Sequence, residues 1–190
     1  MSKMNDDGQP LVSVAIITYN QADIIAHTLQ SVKAQTYRNL EIIIGDDASS
    51  DGTPEVINRI LAAGTIPYRL IDREENLGIT RNLNDVLSQC QGKYNATLGG
   101  DDLWLPKKVE VAVSHLESRP SASFLCHGSI IIDGDGKETN ETLSPSKAET
   151  FFTGLDAFRG KYPFYGSAQV FSNAKNLPLY EDGMLYASDL

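Results

Sequence analysis

The chain has 190 residues, of which 41% are hydrophobic and 22% are charged, close to the average for globular domains. This composition excludes a disordered, collagen-like or low-complexity protein and fits one domain of ordinary size. Sixteen basic residues against 25 acidic ones give a net charge of −9, which argues against a protein that binds nucleic acid. No apolar run approaches the ~18 residues of a membrane span, and residues 1–10 contain no apolar signal core. We therefore expect a cytoplasmic protein, with Cys90 and Cys126 as reduced core thiols.

Predicted strands and helices alternate along the chain, after a disordered tail at residues 1–10. Continuous or alternating apolar runs predict strands over 11–18, 40–45, 68–72, 94–98 and 123–132. Apolar residues at helical spacing predict helices after Asn20, from Thr53, over Thr80–Cys90 and from Pro106, with Asn20 and Thr53 as amino-terminal caps. This order predicts an α/β fold with a mostly parallel central sheet flanked by helices.

Polar residues follow the first three predicted strands, at the edge where a parallel sheet binds its ligands. Tyr19, beside Thr18, supplies an aromatic ring that can stack on a planar base. Asp47 supplies a carboxylate that can accept from a ring N–H of a base or from ribose hydroxyls. Arg81, at the start of a predicted helix, is a candidate contact to phosphate or to a base edge. The structural alternatives are packing by Tyr19, turn formation around Asp47 and a surface position for Arg81.

The most specific feature is the run Gly99–Gly100–Asp101–Asp102 at the end of the fourth predicted strand. Two adjacent carboxylates suit a hard divalent cation, Mg²⁺ or Mn²⁺, which takes its remaining ligands from phosphates and water. Such an ion stabilises a leaving diphosphate, and the glycines allow close approach of the backbone to a ligand. A solvated acidic turn is the structural alternative. The dinucleotide fingerprint and the Walker loop are both missing from the sequence.

Four runs in this order resemble the inverting glycosyltransferases of family 2, which have the GT-A fold: VSVAIITYNQ, QTYRNLEIIIGDDASSDGT, NLGITRN and GGDDLWLPKKVE. The resemblance implies one GT-A domain over 11–190, with a nucleotide-binding part at 11–118. The acceptor part, 119–190, matches only loosely and looks truncated at its carboxyl end. The implied reaction moves a sugar with inversion from a nucleotide-diphosphate sugar, with UDP-sugar favoured, to a saccharide or lipid-linked saccharide. Such enzymes act in bacterial cell-surface polysaccharide assembly, so the resemblance also implies peripheral association with the inner membrane face.

The resemblance assigns roles around the nucleotide. Asp47 corresponds to the acid that contacts the base, and Tyr19 and Thr18 correspond to the lining of the base pocket. Arg81 corresponds to a residue near the base and the phosphates. Asp101 is expected toward the ribose.

Asp102 corresponds to the ligand of the metal that bridges the diphosphate. Gly100 departs from the family pattern, where many members have an acid or a small polar residue, so we expect a leaner metal site. Inversion requires a general base for the acceptor hydroxyl. Asp189 matches the family's late acid by order, and Glu181–Asp182 is the competitor.

Two other functions stay open at this point. A donor-binding fragment without turnover is favoured by the short carboxyl-terminal part. A sugar nucleotidyltransferase would need a glycine-rich, basic phosphate loop directly after the first strand, where the sequence has Tyr19–Asn20–Gln21.

Overall fold

The computed structural model of the chain describes residues 4–5, 8–133, 136–143 and 166–173. Its strands are β1 (Val12–Thr18), β2 (Leu40–Asp46), β3 (Tyr68–Asp72), β4 (Tyr94–Gly99), β5 (Phe124–Cys126), β6 (Ser129–Ile132), β7 (Glu138–Leu143) and β8 (Gln169–Ser172). Its helices are α1 (Ile25–Lys33), α2 (Thr53–Leu61), α3 (Ile79–Gln89) and α4 (Lys108–Ser118), with a 3₁₀ turn at Gly166–Ala168.

Six strands form the central sheet in the order β3-β2-β1-β4-β8-β5. The strands β3, β2, β1 and β4 are parallel, whereas β8 runs antiparallel to both of its neighbours. The predicted α/β class with a mostly parallel sheet is therefore confirmed. Helices α1, α2 and α4 pack on one face of the sheet and α3 packs on the other. Because both faces are covered, the central strands are continuous apolar runs.

The close packing of α3 on β2 depends on a residue without a side chain. A Cβ atom on Gly45 would lie 2.0 Å from Asn82 Oδ1 and 2.7 Å from Val86 Cγ2. Asn82 also donates a hydrogen bond from Nδ2 to the Gly45 carbonyl oxygen at 3.0 Å. Gly45 thus lets the helix approach the strand backbone just before the strand ends.

The two predicted amino-terminal caps are wrong. Helix α1 begins at Ile25, and Asn20, with φ of 51°, accepts instead from the backbone N–H of Ser50 at 2.9 Å. Helix α2 begins at Thr53 itself, and Gly52, with φ of 92°, occupies the capping position. The Thr53 hydroxyl accepts from the Gln21 N–H at 2.9 Å. Both side chains bond to the neighbouring strand-end loop, and this tertiary contact replaces the local cap.

The single strand predicted over 123–132 is also wrong, because the structure has two strands there. Strand β5 pairs with β8 in the central sheet, whereas β6 pairs with β7 in a separate two-stranded sheet. The chain leaves the central sheet at His127, whose N–H donates to the Ala168 carbonyl oxygen at 3.2 Å. Directly after β6, the Asp133 N–H donates to the Lys137 carbonyl oxygen at 2.9 Å, next to the start of β7.

Part of the predicted tail at 1–10 is described. Met4 forms an isolated β-bridge with Pro10, and the buried Tyr37 hydroxyl donates to the Pro10 carbonyl oxygen. Among the described residues, no helix is long and apolar enough to cross a membrane.

Candidate functional site

The carboxyl ends of β1, β2 and β4 meet at one edge of the sheet, which we call the carboxyl edge. Thr18 of β1 is in register with Asp46 of β2, and Ile17 is in register with Gly99 of β4. The residues that follow these strands therefore lie together. The structure brings five of the predicted site residues to this edge: Thr18, Tyr19, Asp47, Asp101 and Asp102.

The loops after β1 and β2 are bonded to each other through a buried carboxylate. Asp46, fully buried, accepts from the N–H of Ser49 at 2.8 Å and from its hydroxyl at 2.7 Å. The Ser49 hydroxyl oxygen in turn accepts from the Asn20 N–H at 2.8 Å. Burial raises the pKa of Asp46, and the Ser49 hydrogen bonds oppose that rise. Asp46 therefore organises the loops from inside and presents no free surface to a ligand.

Tyr19 and Thr18 face opposite ways at the end of β1. Tyr19 is 50% exposed, so its ring is available at the carboxyl edge. Thr18 is buried, and its hydroxyl donates to Gln21 Oε1 at 2.7 Å. The Thr18 and Gln21 side chains pack against Gly100, where a Cβ atom would lie 2.1 Å from Gln21 Oε1 and 2.7 Å from Thr18 Oγ1. The absence of a side chain at Gly100 allows the β4 loop to lie directly on the β1 loop.

Asp47 is buried and connects three segments of the carboxyl edge. Its carboxylate accepts from the N–H groups of Leu77 and Gly78 at 2.8 and 2.9 Å. Arg73 lies beside it, with Nε 3.9 Å from Asp47 Oδ1, and donates from a guanidinium nitrogen to Asp85 at 2.6 Å. A carboxylate has about four acceptor positions. The two hydrogen bonds from backbone N–H groups therefore leave acceptor positions for a ligand N–H or O–H.

Arg73 is a site residue to which sequence analysis gave no role. It follows β3 directly, and its own backbone N–H donates to the Asp46 carbonyl oxygen. Its position at a strand end was a usable signal, but its partner Asp85 lies 12 residues later on α3. The guanidinium is anchored on α3 and brings positive charge next to Asp47.

Asp101 and Asp102 converge above Gly99. A Cβ atom on Gly99 would lie 2.9 Å from Asp101 Oδ1, 3.1 Å from Asp102 Oδ2 and 3.7 Å from Ser167 Oγ. Desolvation raises the pKa of Asp102, the nearby Asp101 charge adds to the rise, and the hydrogen bond from Ser167 opposes it. Oxygen atoms gathered around one small space fit Mg²⁺ or Mn²⁺ by their chemistry. Among the described residues no group of three His, Cys, Asp or Glu side chains could hold a metal, so an ion here would need phosphate and water ligands.

Of the predicted site residues, Arg81 and Asp189 remain. Arg81 is exposed in the first turn of α3, three residues after Gly78, which places it at the border of the carboxyl edge. Asp189 and its competitor Glu181–Asp182 lie outside the described residues.

Two curated proteins illustrate the relatives of this chain. An uncharacterized protein of Mycobacterium tuberculosis is 37% identical over 132 residues, which cover 68% of this chain and 38% of that protein. The Escherichia coli protein named UDP-Glc:alpha-D-GlcNAc-diphosphoundecaprenol beta-1,3-glucosyltransferase WfaP is 34% identical over 137 residues, 71% of this chain and 52% of WfaP. The chain thus spans about half, or less, of the length of these relatives.

Solved structures with the same fold include two nucleotide-sugar complexes. Staphylococcus aureus TarS 1–349 in complex with UDP-GlcNAc superposes with a TM-score of 0.68 at 17% identity, covering 86% of this chain and 45% of TarS. The mannosyltransferase PcManGT from Pyrobaculum calidifontis, in complex with GDP-Man and Mn²⁺, has a TM-score of 0.64 at 23% identity. It covers 86% of this chain and 45% of PcManGT. At these identities the likeness shows the fold alone, and it confirms the GT-A-like architecture.

The family model described as "Glycosyl transferase family 2" matches residues 13–176, which run from the second residue of β1 to beyond the end of β8. The resemblance drawn from the four sequence runs is thereby confirmed. The chain belongs to glycosyl transferase family 2.

Proposed function

We propose that this chain binds a nucleotide-diphosphate sugar at the carboxyl edge and transfers the sugar to an acceptor hydroxyl with inversion, assisted by Mg²⁺ or Mn²⁺. The observation that carries this proposal is the convergence of Asp101 and Asp102 above Gly99 in a chain of family 2. Named relatives support the direction, since WfaP is named for transfer from UDP-Glc and TarS was solved with UDP-GlcNAc.

The nucleoside half of the donor is proposed to lie over β1 and β2. The exposed ring of Tyr19 stacks on the base, with the buried Thr18 supporting the floor beneath it. Asp47 accepts a hydrogen bond from a ring N–H of the base, at an acceptor position that its two bonds to backbone N–H groups leave open. This favours bases with a ring N–H at the reading edge, such as uracil, and fits the expected preference for a UDP-sugar. Arg81 contacts the base edge or the phosphates.

The diphosphate is proposed to lie beside the β4 loop. Asp101 points toward the ribose, and Asp102 holds the cation. When bound, a divalent cation neutralises the negative charge that develops on the leaving diphosphate. With one or two carboxylates as protein ligands, Asp102 binds the cation weakly until a nucleotide supplies phosphate oxygens.

The acceptor hydroxyl is proposed to lose its proton to Asp189, on the face opposite the leaving diphosphate. A carboxylate at that position would act as a general base, which contributes typically 10²–10⁴-fold to the rate. The acceptor is proposed to be a saccharide or a lipid-linked saccharide of bacterial surface polysaccharide. The name of WfaP gives GlcNAc-diphosphoundecaprenol, a lipid-linked saccharide, as the acceptor of that relative. A lipid-linked acceptor would place the cytoplasmic chain peripherally at the inner membrane face.

A thermal-shift panel tests the proposed donor site first. UDP, GDP, CDP and ADP are each added with and without Mn²⁺, and a ligand of the folded state raises the melting temperature. We expect UDP to give the largest rise, and we expect Mn²⁺ to enlarge it. The Asp102→Asn variant should keep the metal-free rise and lose the enlargement, whereas full metal dependence in that variant would place the cation elsewhere.

A transfer assay tests the chemistry separately. A UDP-sugar and a lipid-linked saccharide are incubated with the chain, and the anomeric configuration of the product is read by NMR. The proposal expects inversion, and Asp189→Asn should slow transfer without weakening UDP binding. A retained configuration would contradict direct displacement, and loss of transfer in Asp182→Asn alone would show that the competitor is the base.

A further inference from the structure

Ser167 is a polar residue at the carboxyl edge that no sequence motif singled out. We propose that Ser167 is a positioning residue of the cation site: its hydroxyl fixes the Asp102 carboxylate, and Trp104 holds Ser167 in place. This inference rests on the proposed function, because it concerns the cation that assists diphosphate departure.

The hydrogen-bond pattern around Ser167 is directional. A serine hydroxyl has one proton to donate and accepts through its oxygen lone pairs. The Ser167 oxygen accepts from the backbone N–H of Gly99 at 3.0 Å, and the hydroxyl proton is donated to Asp102 Oδ2. Because the Gly99 amide belongs to β4, the position of the hydroxyl is set by the rigid sheet.

The fixed hydroxyl determines where Asp102 can point. Asp102 Oδ2 and Asp101 Oδ1 lie on either side of the same small space above Gly99. Two adjacent carboxylates repel each other, and an exposed pair would otherwise turn apart into solvent. The hydrogen bond donated by Ser167 keeps the Asp102 carboxylate beside that of Asp101 before a cation binds.

Trp104 fixes the backbone of Ser167, and Lys108 packs on Trp104. The Trp104 ring is buried, and its Nε1–H donates to the Ser167 carbonyl oxygen at 3.1 Å. The Lys108 Nζ lies 3.6 Å from the centre of that ring, so the lysine side chain packs on the face of the indole. Burial lowers the pKa of Lys108 well below its usual range, and its Nζ has no hydrogen-bond partner among the described residues. The ring contact is therefore the principal described interaction of this buried group, and it fixes the indole.

Residues that orient a metal ligand have a measurable effect on the metal. Loss of such a partner typically lowers metal affinity by about 10- to 100-fold. In the proposed binding mode Ser167 does not contact the nucleoside, so its loss should weaken the effect of Mn²⁺ on UDP binding and spare metal-free UDP binding.

Isothermal titration calorimetry of UDP, with and without Mn²⁺, tests the inference on the full chain. In the wild type, Mn²⁺ tightens UDP binding by a factor that we call the metal coupling. We expect Ser167→Ala to reduce the metal coupling about tenfold and to leave the metal-free dissociation constant within about twofold. Ser167→Thr keeps a hydroxyl and should restore most of the coupling.

Two further variants guard against a merely structural effect. Trp104→Phe keeps an aromatic ring but removes the Nε1–H, so it should lower the metal coupling in the same direction as Ser167→Ala. Ser88→Ala removes a serine hydroxyl that bonds a backbone carbonyl on α3, and it should leave the coupling unchanged. Unfolding midpoints by circular dichroism confirm that each variant is folded.

The outcomes separate this inference from the function on which it rests. If wild-type UDP binding shows metal coupling but Ser167→Ala retains it in full, the role of Ser167 is overturned while the proposed donor site stands. If UDP binds the wild type neither with nor without Mn²⁺, the proposed function itself fails. An equal loss of affinity with and without Mn²⁺ in Ser167→Ala would show a structural role only and would also overturn the inference.

Discussion

Replacing Asp47 by alanine should damage both the stability of the chain and its affinity for UDP. The carboxylate accepts two backbone N–H groups from the loop before α3 and lies 3.9 Å from the Arg73 guanidinium. Alanine removes all three interactions at once. A hydrogen bond to a charged group contributes about 1.5–3 kcal/mol, but Leu77 and Gly78 are exposed and their amides can bond to water instead. We therefore expect the free energy of unfolding to fall by about 1–3 kcal/mol.

The loss of UDP affinity has a separate origin. If Asp47 also accepts a ring N–H of the base, Asp47→Ala removes that bond and lets the loop shift. The loss should be about 1–3 kcal/mol in binding free energy, or roughly 5- to 150-fold in the dissociation constant. Asp47→Asn keeps one acceptor oxygen and the side-chain shape, and should lose less stability than alanine does.

Urea unfolding and calorimetry measure the two effects independently. Asp23→Ala is a matched control, because it removes an exposed carboxylate shortly after the end of β1 in the chain. It should change neither the unfolding free energy nor the affinity for UDP. A folded Asp47→Ala variant that binds UDP as tightly as the wild type would refute the role of Asp47 in base recognition. Unchanged stability would refute the account of the loop contact.

Three further predictions concern groups inside the fold. Burial raises the pKa of Asp46, so its charged form is disfavoured in the folded state. The free energy of unfolding should therefore fall as pH rises from the pKa of the unfolded chain, about 3.9, through the higher pKa of the folded chain. Urea unfolding from pH 4 to pH 7 should therefore show Asp46→Asn gaining stability relative to the wild type as pH rises, and a constant difference would contradict this. Burial raises the pKa of the Cys90 thiol to about 12, so Ellman's reagent at pH 8 should label the half-buried Cys126 first and Cys90 only on unfolding. Gly45→Ala places a Cβ atom 2.0 Å from Asn82 Oδ1 and should lower the unfolding free energy by about 1–3 kcal/mol in urea, with an unchanged midpoint arguing against tight packing there.

The central strands and the position of the site could be predicted because their signals are local. Most residues of β1 and β2 are apolar on both faces, as expected of strands buried between helices. Parallel strands then place the residues that follow them at one edge, which is why Asp47 and Asp101 could be grouped before their distances were known.

The contacts that differed from prediction depend on residues far apart in the chain. Asn20 and Thr53 are residue types that commonly cap helices. Each instead bonds to a backbone N–H close to the other residue, about 30 positions away along the chain. Ser167 lies 65 positions from Asp102, and nothing in its local sequence indicates the contact. The break between β5 and β6 is set by pairing with β8, which arrives from the same distant segment. Such contacts are tertiary, so local sequence patterns do not encode them.

The proposed function requires the donor nucleotide to bind at the carboxyl edge of the sheet. The structure offers a competing place, a cavity of about 330 Å³ at the opposite end of α1 and α2, lined by Lys33, Tyr37 and residues 63–67 among others. Hydrogen–deuterium exchange with saturating UDP and Mn²⁺, compared with the free chain, distinguishes the two. We predict slower exchange in the strand-end segments 18–22, 47–52, 76–82 and 99–103, and unchanged exchange at 63–67. Protection at 63–67 with none at the strand ends would contradict the account.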